Sequence, residues 1–267
     1  MDFALSGDQL ELKQAAHDWL ADRFPLDRDW ESTEDRWAEL AELGWLDVAE
    51  AGLGFVEEAL LIEEMGYACY PGFYLGHVAS LAGDGEAATV DPTRRLYRIE
   101  EETPRFRAAA AAEALGVAQR ALDLGVEHAK TRLQFGKPIG TYQAVSHPLA
   151  QTYTDVELAR SLVYWAAWCV AEEEKAGSAD GKAAGARPAD PAAFGGGRRA
   201  PVAAAAAKAF ATEAAVAACE RSIQVHGGIG FTWEHPLHRF YKRALWLEGF
   251  GSRPAELRLE VANSLLE

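Results

Sequence analysis

The sequence predicts an all-α protein with a helical N-terminal region, a short linker and a C-terminal helical bundle. Three observations carry that prediction. Apolar residues recur at helical spacing along most of the chain. Only "RRLYRIE", residues 94–100, alternates as a strand does. The composition, 49% apolar and 25% charged over 267 residues, is that of a globular chain long enough to bury a core. The expected divisions are 1–82, 83–105 and 106–267.

The elements follow in order. Ser6, with Gln9 three residues on, forms a capping box, and Leu10 is placed to staple back onto Leu5. Leu12, Ala16, Trp19 and Leu20 make that helix's apolar stripe. A second helix carries Trp37, Leu40 and Leu43 on one face and stops at Gly44, and a third, "GFVEEALLIEEMGYACY", ends near Pro71. Residues 83–104 break the pattern with Asp91-Pro92 and Thr103-Pro104, and one strand-like passage cannot build a sheet domain. Helix returns with Leu115, Ala118, Leu122, Val126 and Ala129. "KTRLQFGKPIGTYQAVSHP" reads as a loop, and a helix from about Leu149 to Glu174 places Leu149, Val156, Val163 and Val170 at intervals of seven. Its apolar face suits a subunit interface or an internal bundle core. Residues 175–201, rich in Gly, Ala and Pro, are expected to be a mobile loop. An Ala-rich helix from Val202 to Gln224, a glycine loop and a tail helix from Leu237 complete the chain.

Charge divides the molecule. Residues 1–104 hold 24 acidic and 7 basic side chains, and residues 105–267 hold 17 and 19, so net charges of −17 and +2 make up the total of −15. An acidic surface repels nucleic acid and anionic membranes, so neither is an expected partner, and an anionic ligand would dock on the second half. "MDFALSGDQLELKQ" has neither the basic start nor the apolar run of a signal peptide, which leads us to expect a cytoplasmic protein. Cys69, Cys169 and Cys219 are few and far apart, the pattern of buried reduced thiols.

Two loops in the basic half invite a functional reading. "SIQVHGGIGFTWEHP", residues 222–236, offers three glycines whose bare backbone could cradle phosphate. They follow a helix, so a dinucleotide fingerprint, which needs a strand before and a helix after, is excluded. A helix C-cap with Gly227 at positive φ accounts for them as well. His226, His235 and His238 lie close together, but no Glu or Cys stands at ligand spacing on a shared helix face, so no metal site is expected. The second loop is "RLQFGKPIGTYQ", residues 132–143.

Taken together, Arg132, Gln134, Phe135 and Gly136 of the first motif and Gln224, Gly227, Gly228, Gly230 and Thr232 of the second resemble the acyl-CoA dehydrogenase superfamily. "ALGVAQRALDLGVEHAKTR" is similar to the helix before the first motif, and the opening helices fit as well, so the resemblance covers nearly the whole chain. It implies a helical N-terminal domain, a middle β-domain and a C-terminal four-helix bundle that hold FAD and an acyl-CoA thioester. It also implies that both loops reach across a dimer interface to the neighbouring subunit's FAD. Arg132, Gln134, Phe135 and Gln143 would then contact the flavin nucleotide, with Gln224, Gly227 and Gly228 beside its adenosine-diphosphate part. Arg132 would offer forked donors to phosphate.

The sequence departs from the family twice. About 20 residues stand where the β-domain would be, so the chain has half a flavin enclosure. Oxidation at Cα–Cβ also needs a carboxylate to take the α-proton. The family's Tyr-Glu-Gly-Thr segment places it seven residues before an Arg. Here, seven residues before Arg258, stands Gly251. Glu248, ten before Arg258, is the candidate base in the tail, and the family's alternative place falls at Ala112, beside Glu113. The expected function is a subunit of a heteromeric acyl-CoA dehydrogenase, similar to those acting on sterol side chains. It would lend FAD loops to a full-length partner in a heterodimer or heterotetramer. A self-sufficient enzyme using Glu248 and a helical scaffold without FAD are the alternatives.

Overall fold

The computed structural model describes residues 4–30, 34–48, 51–81, 102–178 and 199–266. Helix α1 (Gly7–Arg23) opens on the expected capping box: Gln9 N–H donates to Ser6 Oγ at 3.2 Å and Ser6 N–H to Gln9 Oε1 at 2.9 Å. Leu10, the expected staple residue, is 54% exposed. Six residues separate it from buried Ala16, about 120° around the helix, so it faces away once Ala16 and Leu20 turn inward. A short α2 (Trp37–Glu42) stops at Gly44, whose φ of 72° only glycine adopts freely. Helices α3 (Phe55–Ala68) and α4 (Tyr74–Leu81) follow.

Helix α3 is buried from Glu58 through Gly66 because it crosses α5 (Pro104–Thr131) at a pair of glycines. A Cβ on Gly66 would collide with the Glu113 carbonyl, and one on Gly116 with the Glu63 carbonyl. Backbone thus lies on backbone, and the acidic N-terminal helices join the bundle without a gap. Charges that this crossing buries are paired. Glu63 accepts from Arg160, from Tyr164 Oη at 2.7 Å and from Lys13, while Glu64 pairs with His17 at 2.8 Å. Burial without such partners would cost several kcal/mol per ion.

The bundle is built on α5, α6 (Gln143–Ser178) and α7 (Arg199–His226), closed by α8 (Leu237–Gly249) and α9 (Pro254–Leu266). Thr103 caps α5 by accepting from Phe106 N–H at 3.2 Å, with Pro104 at the first helical position, where its missing N–H costs nothing. Helices α5 and α7 are both lined with buried alanines of one cluster, Ala108–Ala112 and Ala118 on α5 and Ala203, Ala204, Ala207 and Ala211 on α7. Small side chains let two long helices lie close along their length. By composition α7 is apolar enough to cross a membrane, yet 67% of that window is buried inside the protein, so its apolarity serves the core.

Several boundaries differ from expectation. Helix α6 begins at Gln143 and carries Pro148 inside. Its heptad residues Leu149, Val156, Val163 and Val170 are all buried in the bundle, while Tyr153 and Leu158 face outward. Residues 175–178 and 199–201 are helical, and the rest of the expected mobile loop lies outside the described residues. So does the strand-like passage at 94–100. Among the described residues the one sheet is a two-residue hairpin, β1 (Leu133–Gln134) with β2 (Lys137–Pro138), inside the first motif loop. One apolar cluster runs from Ala16 to Phe250, so the N-terminal helices and the bundle share an interior.

Candidate functional site

The first motif loop leaves the C-terminus of α5. Arg132 caps that helix, its N–H donating to His128 O at 2.8 Å, and its exposed guanidinium has no ion-pair partner among the described residues. Leu133 pairs with Pro138 and Gln134 with Lys137 across a two-residue turn. Phe135 and Gly136 take φ of 53° and 81° at that turn. Two positive φ values suit the right-handed twist of a hairpin, and glycine accepts them at no cost. Phenylalanine does not, losing roughly 1–2 kcal/mol. Its ring is 92% exposed and meets the Tyr142 ring edge-on, centroids 6.4 Å apart. Lys137 Nζ lies 4.3 Å over the Tyr142 ring, whose hydroxyl donates to Gln134 O at 3.3 Å. The hairpin is therefore braced from behind while it presents a large apolar ring outward.

The second loop leaves the C-terminus of α7. Gln224 is exposed in the last turn, Gly227 has φ of 65°, and nothing stands within 4 Å of where a Cβ would be on Gly227 or Gly228. Gly230 is different: its Cβ would meet Ile223 O at 2.7 Å, so it is small because the chain folds back onto α7. The positive φ of Gly227 at the end of the helix is the one its reading as a C-cap expects. Ile229, Phe231 and Trp233 beyond it are exposed, Trp233 with Lys242 Nζ 4.1 Å over its ring.

Histidines bring the loops together, which the sequence reading did not foresee. His128 stacks on His226 with centroids 4.2 Å apart, and His235 meets His226 at 4.3 Å. The stack also shows that α5 and α7 run parallel, with both loops at one end of the bundle. Burial holds His226 and His128 below the ordinary imidazole value, and burial with its three histidine neighbours lowers His235 to about 4. Their spacing in sequence, 98 residues between His128 and His226, gives no local signal of this contact. Among the described residues no group of three or more His, Cys, Asp or Glu is arranged to hold a metal ion.

The candidate bases lie elsewhere. Glu248, half-buried on α8, sits against α7 beside Glu213 and Glu220, and partial burial plus these two carboxylates raise its pKa. Glu213 pairs with Arg258, and Glu220 accepts from Tyr241 Oη at 3.0 Å, so Glu248 belongs to an acidic strip between the helices. Glu113 is buried and its Oε1 accepts from Arg243 Nε, which makes it half of an internal ion pair. Gly251 has φ of 69°, and a Cβ there would stand 2.5 Å from Glu102 Oε1. That carboxylate is held by buried Lys208, by Arg107 and by Ser252 N–H at 3.2 Å. Two surface clefts, of about 240 and 330 Å3, are lined by Phe210 and Arg258 and by Pro104 and Arg105. Neither lies at the loop end: Phe210 is 16 residues from His226, some 24 Å along the helix.

The comparisons with known proteins fit this geometry. Residues 6–85 match the acyl-CoA dehydrogenase N-terminal domain, and residues 96–251 match the C-terminal domain. The chain belongs to the acyl-CoA dehydrogenase family. Acyl-CoA dehydrogenases are FAD-binding flavoproteins and oxidoreductases. The chain is 39% identical over 168 residues to acyl-CoA dehydrogenase IpdE2 of Mycobacterium tuberculosis, a stretch covering 59% of this chain and 44% of that protein. It is 34% identical over 178 residues to the probable acyl-CoA dehydrogenase YngJ of Bacillus subtilis, covering 66% and 40%. The matched stretches thus span less than half of either relative. Among solved structures, the Tcur3481-Tcur3483 steroid ACAD G363A variant superposes with a TM-score of 0.75 at 22% identity, over 97% of this chain and 98% of that one. The ChsE4-ChsE5 complex from M. tuberculosis superposes at 0.72 and 20%, over 100% and 99%. At these identities the likeness establishes the fold. The described residues thus show the all-α acyl-CoA dehydrogenase architecture, with no middle β-domain among them.

The residues of the two loops fit one side of an FAD. Arg132 is a cation without an ion-pair partner among the described residues, Gln143 and Gln224 are exposed amides, and Gly227 and Gly228 have open space where a Cβ would stand. They stand on the two motif loops and the adjoining ends of α6 and α7, and neither surface cleft reaches them.

Proposed function

We propose that this chain is one subunit of a heteromeric acyl-CoA dehydrogenase and lends its two loops to an FAD site completed by a full-length partner. The observation that carries the reading is Phe135, a large apolar ring held outward on unfavourable backbone with almost no contact to its own chain. Strain of this kind persists where something outside the fold uses it. With FAD bound, the cofactor supplies the hydride acceptor for α,β-desaturation of an acyl-CoA thioester. Arg132 would neutralise phosphate charge, Gln134, Phe135 and Gln143 would hold the flavin nucleotide, and Gln224, Gly227 and Gly228 would fit its adenosine-diphosphate part.

The base comes from the partner in this reading. Glu113 is tied to Arg243, Gly251 is confined to glycine by its φ and by Glu102, and Glu248 lies in the acidic strip along α7. The exposed Tyr153 and Leu158 of α6, with Phe231 and Trp233, offer apolar surface for that partner. A heterodimer or heterotetramer in the cytoplasm acting on a bulky sterol side-chain thioester is the finer form of the proposal. Its support is that two structures sharing this fold are described as a steroid enzyme and a two-protein complex.

Purification decides between the readings. The chain alone should be colourless, and co-expression with a full-length acyl-CoA dehydrogenase-like subunit should give a complex with flavin absorbance near the visible maximum and dehydrogenation of a steroid side-chain CoA thioester. Stoichiometric FAD and thioester oxidation by the lone chain would overturn the proposal in favour of the self-sufficient enzyme. A complex lacking FAD would leave a scaffold.

A further inference from the structure

The imidazoles that join the loops belong to three different elements. His128 lies four residues before Arg132 in the last turn of α5, His226 stands between Gln224 and Gly227 at the end of α7, and His235 lies just before α8. Two of the rings are bonded to backbone. His226 Nδ1–H donates to Ser222 O at 2.8 Å, and His235 Nδ1 accepts from Leu237 N–H at 3.3 Å. An imidazole nitrogen that accepts carries no proton, so His235 is neutral in this arrangement. Protonating it would set a donor against the Leu237 donor at the first turn of α8.

The charges acting on the column are cationic. Arg132 acts on His128 from the end of α5, and Arg239 and Lys242 of α8 act on His238, which in turn acts on His235. A proton added to any ring therefore meets neighbouring rings 4.2–4.3 Å away and further positive charge behind them. We propose that His128, His226 and His235 are positioning residues that hold the two loops in register only while all three rings are neutral, so that acidification releases both loops together. What the release means for FAD rests on the function proposed above, but the release itself is a property of the chain alone.

The sign follows from linkage. Each column ring takes up protons less readily when stacked than when free, so the stacked arrangement is favoured above the ordinary imidazole value of about 6.5 and weakens as pH falls below it. The test is imidazole NMR and amide hydrogen exchange on the full chain from pH 7.5 to pH 5. We expect the three ring resonances to remain neutral well below pH 6.5. Protection factors of residues 132–142 and 224–236 should fall together, about tenfold per pH unit for each ring that gains a proton on opening.

His226→Phe keeps an aromatic ring in the middle of the column and should leave the loops coupled with a shallower pH slope. His226→Ala should uncouple them already at pH 7.5. Rings that titrate at ordinary values in the unaltered chain, loops that lose protection independently, or an unchanged slope in His226→Phe would each overturn the proposal. If His226→Ala fails to fold, the other two measurements still decide. A pH-invariant loop pair in a complex that retains FAD would sink the column and spare the proposed function. A working column with no FAD in any complex would do the reverse.

Discussion

Phe135 shows what a single residue contributes when folding does not need it. Replacing it with glycine should leave thermal stability unchanged or raise it slightly, since up to about 1–2 kcal/mol of backbone strain disappears. The same change should weaken FAD retention by the assembled complex about tenfold or more, as loss of an exposed aromatic anchor does. Spectral titration of complex and variant checks both. Glu58 gives a second residue-scale expectation. Burial lifts its carboxyl to about 7 even against the pull of Arg105, so the folded chain holds a proton that the unfolded chain releases near its ordinary value. That stabilisation is present below about pH 4.5 and is lost as pH rises through 7. In denaturation curves, the effect of Glu58→Gln on stability should therefore become more favourable from pH 5 to pH 8 by an amount on the order of 2–3 kcal/mol. Of the residues proposed for the site, Arg132, Phe135, Gln224 and Gly227 were chosen from the sequence as motif letters. The histidine column was not, because stacking between residues distant in sequence leaves no periodicity to read.

At the scale of elements, the α3–α5 crossing decides how the N-terminal helices are held. Gly116 is helical, so sequence alone marks it as a helix-weakening residue. Here its missing Cβ is what lets two backbones touch. Gly116→Ala, which would help an isolated helix, should instead cost about 1–3 kcal/mol or more, because the colliding atoms are backbone and cannot swing aside. A melting temperature unchanged in this variant would show that the helices can slide apart. The same logic explains α6. Its heptad valines were readable as a wide apolar face, but two uses of that face read alike in sequence. Packing resolved it: the heptad positions are bundle core, and Tyr153 and Leu158 alone on that stretch project as large outward apolar side chains. Pro148 misplaced the predicted start of the helix because proline reads as a breaker, yet it lies inside α6.

For the whole molecule, the continuous apolar cluster from Ala16 to Phe250 makes the acidic N-terminal helices and the basic-loop bundle one cooperative body. Thermal unfolding followed by far-ultraviolet circular dichroism and by tryptophan fluorescence should give one coincident transition. Two separated transitions would mean that the glycine crossing does not transmit stability. Composition, periodicity, caps and two loop motifs were enough to determine an all-helical chain of the acyl-CoA dehydrogenase family, because each depends on residues near one another in sequence. Only the tertiary structure decided which carboxylates are tied up in ion pairs, which apolar face is interior, and that three imidazoles join the loops. Those outcomes depend on distances between helices, and such distances are set by how side chains pack once the chain has closed on itself.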